Sequence, residues 1–177
     1  MFNKIKVVFF LAVFSMFPVS ASAMETINDE DLPTFGIRNK ASYMHYIKLF
    51  NEKNPQAFEA YFSDDIVYIN GGLVLEGIPA VKKHYHGLWS LMKEDLTVNE
   101  FVFDGDTLAV DLHAHFTVIR DDENSPFGKI KKGDAFDYYG SIIYKINHLG
   151  KIKKLTVSYL DFTYTSDGKT RSLGSPH

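Results

Sequence analysis

Residues 108–119, Leu108-Ala-Val-Asp-Leu-His-Ala-His-Phe-Thr-Val-Ile119, sort themselves by parity. Leu108, Val110, Leu112, Ala114, Phe116 and Val118 are apolar, and Asp111, His113 and His115 stand between them. Successive side chains of a strand point to opposite faces, so this stretch predicts a strand with one apolar face and one polar stripe. Leu96–Phe103, Asp134–Asn147 and Lys151–Tyr164 share its strand character. Asp104-Gly105-Asp106 and His148-Leu149-Gly150 are tight connections, so the four segments predict an antiparallel meander. Asp121–Gly133 is polar, carries Pro126, Gly128 and Gly133, and reads as a mobile loop.

Upstream the period changes. Tyr43, Tyr46, Ile47 and Phe50 fall at helical spacing and predict a first helix from Arg38. Asn54-Pro55 opens a short second helix, with proline at its first position, Ala57, Phe58, Tyr61 and Phe62 turned inward, and Ser63-Asp64-Asp65 closing it. Ile66-Val67-Tyr68-Ile69 is β-branched and aromatic, and Gly71-Gly72 turns it back toward Leu73-Val74-Leu75 as a hairpin. Gly77-Ile78-Pro79 starts a third helix through Val81, His84, Tyr85, Leu88 and Leu91. The expectation is α+β: three helices packed on one face of a curved, mainly antiparallel sheet.

Lys4 and Lys6, the apolar run Val7–Phe17, Pro18 and Ala21-Ser22-Ala23 have the three parts of a secretory signal peptide. A transmembrane anchor would need roughly 20 apolar residues, and this run is well short of that. We therefore expect residues 1–23 to be removed after Ala23, with the mature chain in the periplasm or outside the cell and without a membrane anchor. Residues 24–37 read as a tether, 38–164 as one domain and 165–177 as a polar tail. The 177 residues are 45% hydrophobic and 15% aromatic with a formal charge of −3, which fits one globular domain and excludes a disordered chain or a basic nucleic-acid binder. There is no cysteine, which removes disulfides, thiol nucleophiles and thiolate metal sites.

The run Tyr46-Ile-Lys-Leu-Phe-Asn-Glu-Lys-Asn-Pro-Gln-Ala-Phe58, with Phe62-Ser-Asp-Asp-Ile-Val-Tyr-Ile-Asn70, resembles the nuclear transport factor 2-like superfamily. Within it the chain is most similar to SnoaL-like polyketide cyclases and ketosteroid isomerases. Gly77-Ile-Pro-Ala-Val-Lys-Lys-His-Tyr85 and Asp104-Gly105-Asp106 support this, and the similarity spans about residues 38–164. The resemblance implies a cone whose sheet curls around an apolar pocket, no cofactor and no metal, and a homodimer. Matched without a gap, the isomerases' oxyanion tyrosine falls on Tyr46. A second tyrosine that hydrogen-bonds the first falls on Tyr85, the proton-shuttling aspartate on Asn70 and the protonated aspartate on Ile142. Asparagine accepts no proton at neutral pH and isoleucine donates none, so ketosteroid isomerase chemistry itself is not expected.

The same resemblance turns the Asp111, His113 and His115 stripe toward the pocket; read from the residues alone, it is equally the solvated face of a strand. In the pocket, a histidine beside a carboxylate could act as general base or acid. On the last strand Tyr159 and Asp161 share parity with Leu155 and Val157, which carries Asp161 to the cavity mouth. His84 is expected near the cavity. Asp111-x-His113-x-His115 also offers a metal-ligand set, set aside in favour of a metal-free site.

Two functions follow from this reading. One is a proton-transfer enzyme (isomerase, cyclase, dehydratase or hydrolase) acting on a small, mostly apolar carbonyl compound. It would use His113, His115, Asp111 and Tyr46, with Asn70, Tyr85, His84, Ile142, Tyr159 and Asp161 holding the substrate. The other is a non-catalytic periplasmic ligand-binding or protein-interaction module. A homodimer is expected to pair through the apolar parity of Leu108–Val118.

Overall fold

Helix α1 (Lys40–Asn51) begins with a reciprocal cap: the Asn39 carboxamide accepts from the Ser42 amide at 2.9 Å, and Ser42 Oγ accepts from the Asn39 amide at 3.1 Å. It buries Tyr43, Tyr46, Ile47, Leu49 and Phe50 along one face. This is a computed structural model, and it describes residues 35–174. The expected signal segment 1–23 and tether residues 24–34 lie outside the described residues. The end of the tether does not hang free: Ile37 is fully buried and donates its amide to the Gly150 carbonyl at 2.7 Å.

Helix α2 (Gln56–Glu59) is a single turn, with Pro55 at its N-cap rather than inside it. Ser63-Asp64-Asp65 does not close a helix but already belongs to β1 (Phe62–Asn70). Strand β2 (Leu73–Glu76) returns antiparallel to β1 and runs directly into α3 (Gly77–Leu91). Gly77 makes that break without a connecting loop by adopting φ +79°.

The four expected strands are present as β3 (Met92–Phe103), β4 (Thr107–Val118), β7 (Ala135–Ile146) and β8 (Ile152–Ser166), hydrogen-bonded in that order as an antiparallel meander. Strand β1 joins β8 in parallel, giving the order β2-β1-β8-β7-β4-β3. Within Asp121–Gly133, read as a loop, β5 (Asp122–Ser125) and β6 (Gly128–Ile130) form a hairpin tied by Ser125 Oγ donating to the Gly128 carbonyl at 2.6 Å. The polar tail likewise contributes β9 (Lys169–Ser172), paired with the far end of β8.

The parity of β4 is as the sequence reads, but its two faces are exchanged with respect to the pocket. Leu108, Val110, Leu112, Ala114, Phe116 and Val118 are all buried, and Leu112, Ala114 and Phe116 face the cavity under the helices. Asp111, His113 and His115 are half-exposed on the outer face. The placement of that stripe toward the pocket is thus corrected, because the helices need the apolar side of the strand to close the core. For the same reason the apolar parity cannot pair two copies of the chain.

Candidate functional site

The inner face of the sheet and helices α1 and α3 enclose a cavity of about 570 Å³. That size suits a small organic ligand. Its walls are mostly apolar, with Phe50, Leu88, Leu112 and Leu155 among them. The exposed lining residues are Gly71 and Gly72 at the β1–β2 turn, Gly87 on α3, and Pro126 and Phe127 on the β5–β6 hairpin, so the mouth lies between these elements.

One carboxylate stands in this wall. Glu94 is 5% exposed, and its Oε2 accepts from Trp89 Nε1–H at 3.0 Å. Burial pushes its carboxyl up to about 7, more than the Trp89 hydrogen bond pulls it back. A carboxylic acid poised there exchanges its proton readily at neutral pH. Its position is fixed from the neighbouring helix: the Asn51 carboxamide donates to the Leu96 carbonyl at 3.0 Å and accepts from the Leu96 amide at 2.8 Å, as a paired strand would. Sequence reasoning missed Glu94. The available signal was its position between Met92 and Leu96, a charge on the inward parity of an otherwise apolar strand start.

The phenols form the polar part of the wall. Tyr46 lines the cavity, and its hydroxyl makes no hydrogen bond to a side chain among the described residues. Burial, reinforced by Tyr144, Tyr68 and Glu94, holds its ionisation far above the ordinary value, so it remains a donor. Tyr159 donates to Asn70 Oδ1 at 2.8 Å, Asn70 Nδ2 reaches the Tyr68 hydroxyl at 3.4 Å, and Tyr85 donates to the same hydroxyl at 3.3 Å. The partner of Tyr85 is therefore Tyr68 and not Tyr46, which corrects the pairing implied by the resemblance. Tyr68 accepts both bonds and keeps its own O–H for a ligand, its pKa raised by burial to about 12.

Of the residues expected at the site, Tyr46, Asn70, His84, Tyr85, Ile142 and Tyr159 line the cavity. His84 is half-buried, and burial lowers its pKa. Asp161 does not reach the mouth. Its carboxylate accepts from the Phe162 amide at 2.8 Å and from Ser172 Oγ at 2.6 Å, tying the end of β9 back to β8. The cause is a bulge: Tyr139 pairs with Asp161 but Gly140 with Tyr159, so Leu160 is looped out and the parity of β8 reverses beyond it.

Asp111, His113 and His115 are likewise not in the cavity. Asp111 accepts from Asn99 Nδ2 at 2.8 Å, while both histidines turn to Asp137 on β7. They lie on the opposite side of the sheet from Tyr46 and Asn70, so they cannot transfer a proton to anything held with those residues.

A model of the SnoaL-like domain family matches residues 44–155. Among curated proteins nothing matches the chain. A candidate polyketide cyclase from Pseudomonas putida KT2440 superposes with a TM-score of 0.56 at 24% identity, covering 66% of this chain and 87% of that one. The Δ5-3-ketosteroid isomerase of a Mycobacterium species gives 0.55 at 17% identity, with 71% and 96% covered. RV0760c of Mycobacterium tuberculosis, in complex with estradiol-17beta-hemisuccinate, gives 0.52 at 17% identity, with 65% and 88% covered. At these identities the likeness is one of fold, the nuclear transport factor 2-like cone.

Proposed function

The chain belongs to the SnoaL-like domain family, and on that premise we propose that it binds a small, mostly apolar carbonyl compound and moves a proton beside the carbonyl. The observation that carries this reading is Glu94, a buried carboxyl with a pKa near 7 in the wall of an apolar cavity. In its ionised form Glu94 removes the proton on the carbon next to the carbonyl. The charge that develops on the carbonyl oxygen is met by the O–H groups of Tyr46 and Tyr68, which stay protonated because they are buried. Protonated Glu94 then returns the proton to the same or a neighbouring atom, which yields an isomerisation, cyclisation or elimination according to the substrate. Export through the N-terminal 23 residues would place this reaction outside the cytoplasm, and the mature chain would act as a homodimer.

The test is proton exchange. The steroid seen with a protein of the same fold supports a ketosteroid as one probe beside smaller cyclic ketones. Incubated in D2O with the protein, a bound ketone should gain deuterium beside its carbonyl, followed by NMR. Glu94→Gln should abolish the exchange and leave ligand affinity within a few-fold, and Tyr46→Phe should slow it by about 10²–10³. Ligand binding with no exchange above the solvent rate would replace this reading with the non-catalytic binding module.

A further inference from the structure

On the outer face of the sheet, away from the cavity, three side chains converge. His113 Nε2 lies 2.7 Å and His115 Nδ1 2.8 Å from the same oxygen, Oδ1 of Asp137. The three ligating atoms lie within 4.8 Å of one another. We propose that His113, His115 and Asp137 form a binding site for a divalent transition-metal ion, with Zn²⁺ the best match, whose remaining coordination is completed by water.

Two imidazoles and a carboxylate are a donor set suited to zinc and its first-row neighbours. Bonds of about 2.0 Å in a tetrahedron need ligand atoms about 3.3 Å apart, so modest side-chain rotations would seat the ion. The side chains are 29%, 42% and 19% exposed, open enough for an ion and its water to enter without disturbing the core. The sheet fixes two of the three directions. His115 is directly opposite Asp137 in the β4–β7 ladder, and His113 is diagonal to it, opposite Tyr139. The Tyr139 ring lies flat against the His113 imidazole, 4.6 Å between centroids and 5° between planes, and limits its rotation.

The groups around the ligands also suit a metal. Around ionised Asp137, both imidazoles present an N–H to the carboxylate; to bind a metal through the same nitrogens, each moves that proton to its other ring nitrogen. For His115 the receiving nitrogen is Nε2, 3.3 Å from Thr117 Oγ1. That hydroxyl donates to Nε2 in the first tautomer and accepts from it in the second, so it holds the ring in either state. Asp111 is not part of the site, since Asn99 already holds its carboxylate.

Zinc chloride titrated calorimetrically into the purified protein should show one saturable site per chain. Cobalt chloride should give the visible absorption of a low-coordinate Co²⁺ ion with nitrogen ligands, displaced by zinc. His113→Gln, His115→Gln and Asp137→Asn should each weaken zinc binding at least about tenfold, while His86→Gln and His148→Gln leave it unchanged. Thr117→Val retains all three ligands, and should still weaken binding about tenfold through the orientation of His115. Metal-free circular dichroism and melting curves for each variant separate lost ligation from lost folding. Absence of saturable binding to the wild-type protein, or an unchanged isotherm when both His113 and His115 are replaced, would overturn the assignment.

Discussion

At the scale of the residue, Glu94 dominates. Its carboxyl titrates near 7 in the folded chain against an ordinary value of 4.5, because burial disfavours the charged form. Between those values the native state holds a proton that the unfolded chain has released, so this group's contribution to stability falls as the pH rises from about 4.5 to 7. The full swing is about 3 kcal/mol. Glutamine does not titrate. The stability of Glu94→Gln minus that of the wild-type chain should therefore grow by about 3 kcal/mol between pH 4 and pH 8, read from urea denaturation at both ends. An equal difference at the two pH values would mean that Glu94 is charged and solvated. Strand parity sets Glu94 apart from its neighbour Asp95, but its burial comes from the packing of Trp89 and Asn51 against this end of β3.

At the scale of the element, the bulge in β8 decides what reaches the cavity. Opposite it, Gly140 is crossed by the Tyr138 side chain, whose hydroxyl donates to the Ser158 carbonyl at 2.8 Å. A Cβ at residue 140 would run into both that carbonyl and that hydroxyl. Gly140→Ala should lower stability by about 1–3 kcal/mol in urea denaturation, the range for forcing extra volume into a packed site. It should also weaken ligand binding, because the bulge aims Tyr159 at Asn70. A variant as stable as wild type would show that both the Ser158 carbonyl and Tyr138 give way at little cost and that the bulge does not depend on glycine. The β4 stripe teaches the same lesson. Its alternation was plain in the sequence, but its carboxylate partner was set by register, which makes it Asp137 across the ladder instead of Asp111 along the strand.

At the scale of the whole molecule, the buried apolar parity of β4 leaves a different surface for self-association. Val102, Ala109 and Ile143 lie side by side across β3, β4 and β7 on the outer face, with Val102 67% and Ile143 45% exposed. This row is separated from His113 and His115 along β4 by about 13–20 Å, so pairing through it would leave the histidines open to an ion. Multi-angle light scattering should give twice the chain mass at micromolar concentration, and Ile143→Glu should halve it. A monomer at that concentration in the wild-type protein would rule out the pairing.

The three helices, the β1–β2 hairpin, the meander and the alternation of β4 were legible in the sequence, because turn chemistry and hydrophobic period act over a few neighbouring residues. The family resemblance added the cone and pointed to Tyr46, Asn70, Tyr85 and Ile142, which line the cavity. Three things were decided by tertiary structure alone: which side of β4 the helices cover, where β8 slips register, and which acidic residue is walled in by Trp89. Each depends on contacts between residues distant in the chain. A period of two records that a strand has two faces, and only the layer packed against it determines which face is inside.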